Sequence, residues 1–545
     1  MNRTAKAVPA DTSVEPLGTL QDMLARLVGA EHVRDDAASR ALFGEDIGAP
    51  GRGQVALVVA PGTVDELSRV VAASTRAGYA IAPRGAGLSY TAGYVPAIAR
   101  TVALDMRRMD RVLAVNAQDM TVTVEAGCSW SQLLAALAPL GLRTPFWGPM
   151  SGITSTVGGG VSQLNAMLGA GQHGTSSESV VAMTVVLADG RVLRTGARGA
   201  DGQSPFYRHF GPDLAGLFCG DCGALGIKAE ITLRLMRNPA HEGFASFSFK
   251  SGPALLDAMA EIARAGLAAE MCAFDPGLTR VRLQRESMAS DLKKLAAVVG
   301  KQKSLMKGLV EVGRIALAGR DFIGADDYPL HLIAEGRCAA AVEFDLAEAR
   351  RVAARFGGQE IANTIAKVIR AQPFPPANSI LGPAGERWLP IHGQVPLSAA
   401  GAVFAGIQAV FAEMRDEFER HGIYTGYLFS SMSTNALILE PVFYWPDERA
   451  PIHEAAIEPE HLARLPVLPP NPAARAVVLA AKARVIAVYQ RHGCGHFQIG
   501  RTYPYRPSRE RASWEFLAAI KREVDPAGLL NPGVLGFDLP GEQTT

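Results

Sequence analysis

The sharpest patterning along the chain lies between Val55 and Thr195. VALVV at 55–59 is an unbroken apolar run and predicts a buried strand. Thr63 and Glu66 then stand in capping-box spacing before apolar Val64, Leu67, Val70 and Val71, which predicts a helix ending at Gly78. A short strand, YAIA at 79–82, leads into the glycine loop PRGAGLSYTAG at 83–93. Further strands are predicted at TVALD (101–105), VLAV (112–115) and the alternating TVTVEAG (121–127), followed by a helix with Ser129 and Gln132 as a second capping box. VVAMTVVLADGRVLRT at 180–195 reads as a hairpin turned by Asp189 and Gly190.

On either side the pattern is looser. The first 50 residues read as a polar lead-in with one short amphipathic helix around Leu20 to Leu27. Beyond Pro239 helical stretches are predicted near 253–265, 346–356, 403–420 and 473–491, with a strand-like TNALILEPVFYW at 434–445, and these are assigned to a second domain. The expected division is a lead-in at 1–50, an αβ-mixed domain at 51–239, a second domain at 240–490 and a C-terminal segment at 491–545. No repeat of 20 to 50 residues is evident.

At 545 residues and 48% apolar composition the chain can bury large cores, which excludes global disorder. With 54 Lys and Arg against 53 Asp and Glu it is too balanced for a protein built to neutralise nucleic-acid phosphates, so a small or neutral partner is expected. Six cysteines are too sparse for a disulfide scaffold, and neither a signal-peptide pattern nor a run of 18 apolar residues occurs, so a cytoplasmic protein with free thiols is expected. The segment 291–320 carries seven Lys or Arg against two acids on an amphipathic background. It suits a weak membrane-surface or quinone-side contact, with a solvated helix face as the plainer alternative.

Glycine loops bring several main-chain N–H groups to bear on one anion, because no Cβ blocks the approach. GAGLSYTAG invites a nicotinamide-dinucleotide reading, with Asp105 about where a ribose-binding acid falls. Context opposes it: the loop follows the second strand, not the first, and leads into YVPAIARTVALD, which has no helical period. A second segment, GPMSGITSTVGGGVSQLNAMLGAGQHGTSSESV at 148–180, is rich in Gly, Ser and Thr and nearly free of charge. A third, LFCGDCGALGI, spans 217–227. Together they suit burial of a large ligand with polar edges. Cys219 and Cys222 have CxxC spacing, open to zinc or dithiol chemistry, but no second pair accompanies them and packing is the preferred role.

The ordered series PRGAGLSYTAG, TVGGGVSQLNA, GQHGT, VLADGRVLRTG and GLFCGDCGALGI resembles the FAD-binding domain of the vanillyl-alcohol oxidase and p-cresol methylhydroxylase flavoprotein superfamily. VDPAGLLNPGVLGF at 524–537 is similar to that superfamily's closing segment. The resemblance implies an α+β fold: a two-part FAD-binding domain of the vanillyl-alcohol oxidase type, an α+β substrate (cap) domain, and a C-terminus returning to the FAD domain. Under it Arg84, Gly85, Ala86, Gly87, Leu88 and Ser89 form the first pyrophosphate loop. Gly152, Val157, Gly158, Gly159, Ser162 and Asn165 hold the diphosphate and flavin edge, with Gly171, His173 and Gly174 lining the same cavity. Gly223, Gly226 and Ile227 meet the adenine end, and Asn531 belongs to the cofactor set. Members with a flavin tethered at the first loop carry His where this chain has Leu88, so non-covalent FAD is expected there, a tether from the cap domain remaining open.

Hydride transfer to flavin N5 leaves negative charge near N1 and C2=O, so the chain needs a cation or donors there and a group holding the substrate over N5. In GCGHFQIGRTYPYRP (493–507) the resemblance points to Arg501 as a clamp for a substrate oxyanion, with Tyr503 and Tyr505 as donors and His496 as a base. His392 is a further candidate. YLFSSMSTNALIL (427–439) lacks the ligands of the family's HGDGN-like metal segment, so no metal is expected. Gly500 stands where phenol-oxidising members pair a Tyr with the Arg. The expected activity is FAD-dependent oxidation of a small hydroxylated compound, a 2-hydroxy acid first. The alternatives are a para-substituted phenol and a non-redox enzyme resembling alkylglycerone-phosphate synthase. The electron acceptor is open among oxygen, a quinone and a cytochrome, and a homo-oligomer is expected.

Overall fold

The computed structural model describes residues 14–48, 51–197, 204–285 and 324–541. The basic segment 291–320 lies outside them. Strands Val55–Val59, Thr101–Asp105 and Ala80–Arg84 form a parallel sheet with the 101–105 strand between the other two, and Val33–Arg34 adds antiparallel at its edge. Both faces of VALVV are buried, which is why it reads as a continuous apolar run. Helix Val64–Arg76 begins as its sequence predicts. Thr63 accepts the Glu66 N–H, while the Glu66 carboxylate reaches one residue further back, to the Gly62 N–H at 2.8 Å.

An antiparallel sheet follows in the order 112–116, 121–125, 227–234, 180–186, 192–194. The helix Trp130–Leu137 between its strands opens with a reciprocal Ser129–Gln132 capping box. One apolar core joins both sheets to Leu20, Leu24 and Val28 of the first helix (Leu17–Val28) and to Leu530, Val534 and Phe537 near the C-terminus. The helix Leu17–Val28, expected as part of a lead-in, is therefore built into this domain's core. The C-terminal segment returns to the same domain as a parallel bridge: Ile81 N–H donates to Leu529 O and Asn531 N–H to Ile81 O, each at 2.8 Å.

Residues 241–445 build a large antiparallel sheet in the order 359–360, 241–249, 328–336, 270–274, 424–432, 436–445, 387–390, with 393–396 also pairing to 436–445. Helices Gly252–Arg264, Ala339–Arg355, Ala400–Glu413 and Pro472–Arg491 bury one face. The helix expected at 403–420 is two helices, broken at Met414 between Glu413 and Arg415. Among the described residues no single helix is long and apolar enough to cross a membrane.

The other sheet face turns to the first domain. Met432 and Ile438 pack with Phe497, Leu164 and Ala166, while Phe274, Val442 and Tyr444 pack with Trp147 and Leu168. A charged seam lies beside these contacts. Arg370 bridges Glu270 and Glu335 at 2.8 Å each, Arg143 pairs with Glu335, and Glu270 accepts from Trp147 Nε1 at 3.3 Å and Gly169 N at 2.9 Å.

Candidate cofactor cavity and active site

Three glycine-bearing segments converge on one cavity of roughly 930 Å³ of atom-free space. Its walls are Arg84–Ser89 from the loop after the 80–84 strand, Gly158, Gly159, Ser162 and Asn165 from the helix Val157–Gln163 and the turn after it, and Gly223, Gly226, Ile227 and Lys228. Ser151, Ser155, Thr156, Gln163, Cys222 and Gln498 complete the polar lining. None of the five main-chain N–H groups from Gly85 to Ser89 has an acceptor among the described residues. Main-chain donors left without partners along a cavity wall are costly, and a row of them is what a diphosphate would satisfy. A side chain on Gly159 would meet only the Thr156 hydroxyl, at 3.0 Å, so that position opens to the cavity.

The loop is held from behind. Arg84 is buried, donates to the carbonyls of Leu42 and Glu45, and lies over the rings of Phe43 and Tyr94 at 4.7 and 5.0 Å. Gly87 has φ +79°, and a Cβ there would strike the Arg84 guanidinium. At the far end Asp221 pairs with Lys228 and also accepts the Gly223 and Leu225 N–H groups at 3.0 and 3.2 Å, fixing the turn of the third loop.

Asn531 lies just behind the wall. Its amide donates to Gly93 O at 2.7 Å and Cys222 O at 2.6 Å, tying the first and third loops to the C-terminal segment. Arg501 shares this task. It donates to Ala92 O (2.5 Å), Val95 O (2.9 Å), Pro532 O (2.5 and 3.0 Å) and Asn531 Oδ1 (2.9 Å). Burial lowers its pKa to about 10, so it remains charged at neutral pH, but every nitrogen is occupied. In this structure Arg501, expected as a substrate clamp, joins loops behind the cavity and is not among the residues that line it.

The other expected catalytic groups are also placed away from the cavity wall. The Tyr503 hydroxyl accepts the His392 N–H at 2.9 Å, and its ring stacks on His496 with centroids 3.9 Å apart. His496 Nδ1 lies 2.9 Å from His392 O. His392 is fully buried and stacked on Phe497 at 3.7 Å. Burial holds His392 well below the usual histidine range and His496 at about 4, so both imidazoles are neutral at physiological pH. Of the expected cofactor residues, Gly152 and Gly171 are seats for the cap domain: a Cβ on Gly152 would strike the Phe374 ring, and one on Gly171 the Ala269 carbonyl. Val157 is core, and His173 and Gly174 sit with Gly171 at the domain junction, where burial lowers the His173 pKa to about 4. Cys219 and Cys222 are free, with pKa values pushed up by burial to about 11 and 12. Among the described residues no group of three or more His, Cys, Asp or Glu is placed to share a metal.

Two polar residues outside these expectations lie on the cavity wall and on the cap-sheet face turned to the first domain. Gln498 lines the wall, accepts from Ser89 Oγ at 3.1 Å and donates to Tyr90 OH at 3.3 Å. Glu440 lies on the sheet face turned to the first domain. It is the one residue of 437–445 that is not fully buried, and it pairs across strands with half-buried Leu428. Burial alone raises its carboxyl to about 7, with no compensating donor among the described residues. Sequence spacing offered no motif for either; the one signal for Glu440 was an acid interrupting ALILEPVFYW, an otherwise apolar strand.

The row of free N–H groups, the small-residue walls and the neutral polar lining fit FAD. Residues 55–196 match the family model described as an FAD binding domain. The chain is 29% identical over 220 residues to glycolate oxidase subunit GlcD of Bacillus subtilis, covering 40% of this chain and 45% of that one. It is 31% identical over 242 residues to a protein named probable D-lactate dehydrogenase, mitochondrial, of Danio rerio, covering 44% and 47%. The chain thus spans less than half the length of these curated relatives. In structure it superposes on p-cresol methylhydroxylase with substrate bound at a TM-score of 0.70 and 16% identity, covering 96% of this chain and 98% of that one, a likeness of fold. Residues 55–196 are thus an FAD-binding domain with FAD as its cofactor, and the chain as a whole has the fold seen in p-cresol methylhydroxylase.

Proposed function

We propose that this chain is an FAD-dependent oxidoreductase that removes two electrons from a small hydroxylated organic substrate, a 2-hydroxy acid before any other. The observation that supports this is an FAD cavity whose lining residue Gln498 bonds Tyr90, a ring within reach of the Glu440 charge, with Glu440 an acid lacking any donor among the described residues on the cap-sheet face turned to the first domain. Bound FAD supplies the acceptor for a hydride. The chain's own residues hold its diphosphate on the Gly85–Ser89 amides, close the cavity through Asn531, and present Gln498, Tyr90 and Glu440 to the substrate side.

The names of the curated relatives support the hydroxy-acid reading. A phenol is favoured by one feature of the same region: Tyr90 meets Trp388 edge-on at 5.6 Å, giving an aromatic flank. The test is anaerobic addition of hydroxy acids, then alcohols and phenols, to the FAD-loaded protein while the visible flavin absorbance is followed. Bleaching by hydroxy acids supports the first reading, bleaching by phenols alone the second. A flavin that none of them bleaches removes both.

A further inference from the structure

Across the cap sheet Phe274 pairs with Leu428 and Leu428 with Glu440, so all three side chains lie on one face, the face turned to the FAD domain. Two strand spacings separate the ends of this row, about 10 Å. At one end is the Glu440 carboxyl. At the other the Arg282 guanidinium lies over the Phe274 ring at 4.2 Å to the centroid and pairs with no carboxylate among the described residues. Leu428, only half buried, forms a floor between them. Both charges are felt by Cys272, two residues from Phe274 and on the same face: Arg282 lowers its thiol and Glu440 raises it. A cation at one end of an apolar floor two strand spacings wide and an acid at the other, neither paired with an opposite charge among the described residues, match a molecule with a carboxylate at one end and a hydroxyl near the other.

We propose that Arg282 anchors the substrate carboxylate and that Glu440 accepts the substrate's hydroxyl proton. This deepens the oxidoreductase reading and rests on it. As the carbon–hydrogen bond breaks, its electron pair leaves as hydride to oxidised FAD. The O–H bond gives its proton to the Glu440 carboxylate, the C–O bond becomes C=O, and Glu440 returns the proton to solvent. The titratable groups around Glu440 are Tyr90, Tyr503, Tyr489 and Cys272, all raised by burial and therefore neutral between pH 5 and 9 on the order of ordinary assay conditions. The pH response belongs to the carboxyl.

The test uses the full-length, FAD-loaded protein and two readouts. The first is anaerobic flavin reduction by a panel of 2-hydroxy acids. Glu440→Gln is expected to slow it at least ~100-fold at unchanged flavin content, and Glu440→Asp to retain part of the rate. Arg282→Met is expected to raise the substrate concentration for half-maximal rate at least ~10-fold with a smaller effect on the limiting rate. The second is calorimetric binding of 2-hydroxy-2-methylpropanoate, which has no hydrogen on the hydroxyl carbon. Arg282→Met should weaken it at least ~10-fold, and Glu440→Gln should abolish its pH dependence near neutrality. Wild-type protein that no hydroxy acid reduces or occupies overturns the functional reading. Wild-type protein that is reduced, with both variants reducing and binding like it, leaves that reading standing and overturns the roles of Arg282 and Glu440.

Discussion

Asn531 Oδ1 accepts a hydrogen bond from Arg501 Nη2 at 2.9 Å, while the amide nitrogen of the same Asn531 donates to Gly93 and Cys222. Through this one contact the last segment of the chain braces two walls of the FAD cavity. Each buried hydrogen bond lost there costs about 1–3 kcal/mol, because a carbonyl or guanidinium N–H is left without a partner. Asn531→Ala is therefore expected to purify with most of its FAD missing and to melt several degrees lower. The ratio of flavin to protein absorbance and the melting temperature check this. Arg501→Lys should show the same pattern, with flavin loss, and not a rise in KM alone, as its signature.

Gly159 offers a separate handle on the cavity. A Cβ there meets only the Thr156 hydroxyl, so a larger side chain enters the space that FAD takes and leaves the packing behind it intact. Gly159→Leu is expected to abolish FAD binding while the flavin-free protein melts within a few degrees of flavin-free wild type. Titration with FAD and a melting curve on the same sample test both halves.

The charged seam between the domains should behave as a buried network. Arg370 is mostly buried and bridges Glu270 and Glu335. Arg370→Met leaves two carboxylates in low dielectric with Arg143 alone, a loss of about 3–5 kcal/mol for such a broken pair. Thermal unfolding is expected to shift down by many degrees and to split into two transitions as the domains uncouple.

Glu440 sets a pH signature on stability. Its folded pKa of about 7 lies above the ordinary 4.5, so its favourable contribution is complete below about pH 4.5 and is lost as pH rises through about 7. At pH 8, Glu440→Gln is expected to be more stable than wild type by about 2–3 kcal/mol, and near pH 4 the two should coincide, as denaturant midpoints will show.

The buried histidines work in the opposite direction. His331 and His453 are held down at about 3, and His496 and His173 at about 4, by burial. Folded values below the ordinary 6.5 keep stability intact above pH 6.5 and remove it as pH falls toward 3, each group contributing up to about 1.4 kcal/mol per pH unit in that window. His331→Gln, which can keep the bond to Ser246, is expected to flatten the acid limb of a melting-temperature profile.

Much of the FAD domain could be read from the chain because its elements carry local marks: the continuous VALVV, the Thr63 and Ser129 caps, the Asp189–Gly190 turn and the glycine loops. The cap sheet could not. Strands such as Glu270–Phe274 and Tyr328–Gly336 are covered on both faces, so they show no alternation, and their partners lie far along the chain. The site divides in the same way. Main-chain donors at Gly85–Ser89 follow from local composition, whereas Arg501, His392 and His496 were read by residue type and family position. Whether such a side chain faces a cavity or a carbonyl is decided by tertiary contacts. Glu440 and Arg282 become neighbours only through the pairing of three strands and the helix Pro276–Arg285.

FAD in the glycine-loop cavity, with its reactive end toward the Glu440 face, is what the proposed oxidation requires. The most direct measurement is an anaerobic titration of FAD-reconstituted protein with a 2-hydroxy acid, followed through the flavin absorbance. One FAD per chain and complete bleaching by the hydroxy acid are expected. Protein that takes up no FAD, or takes up FAD that no hydroxylated compound bleaches, would contradict the proposed oxidation.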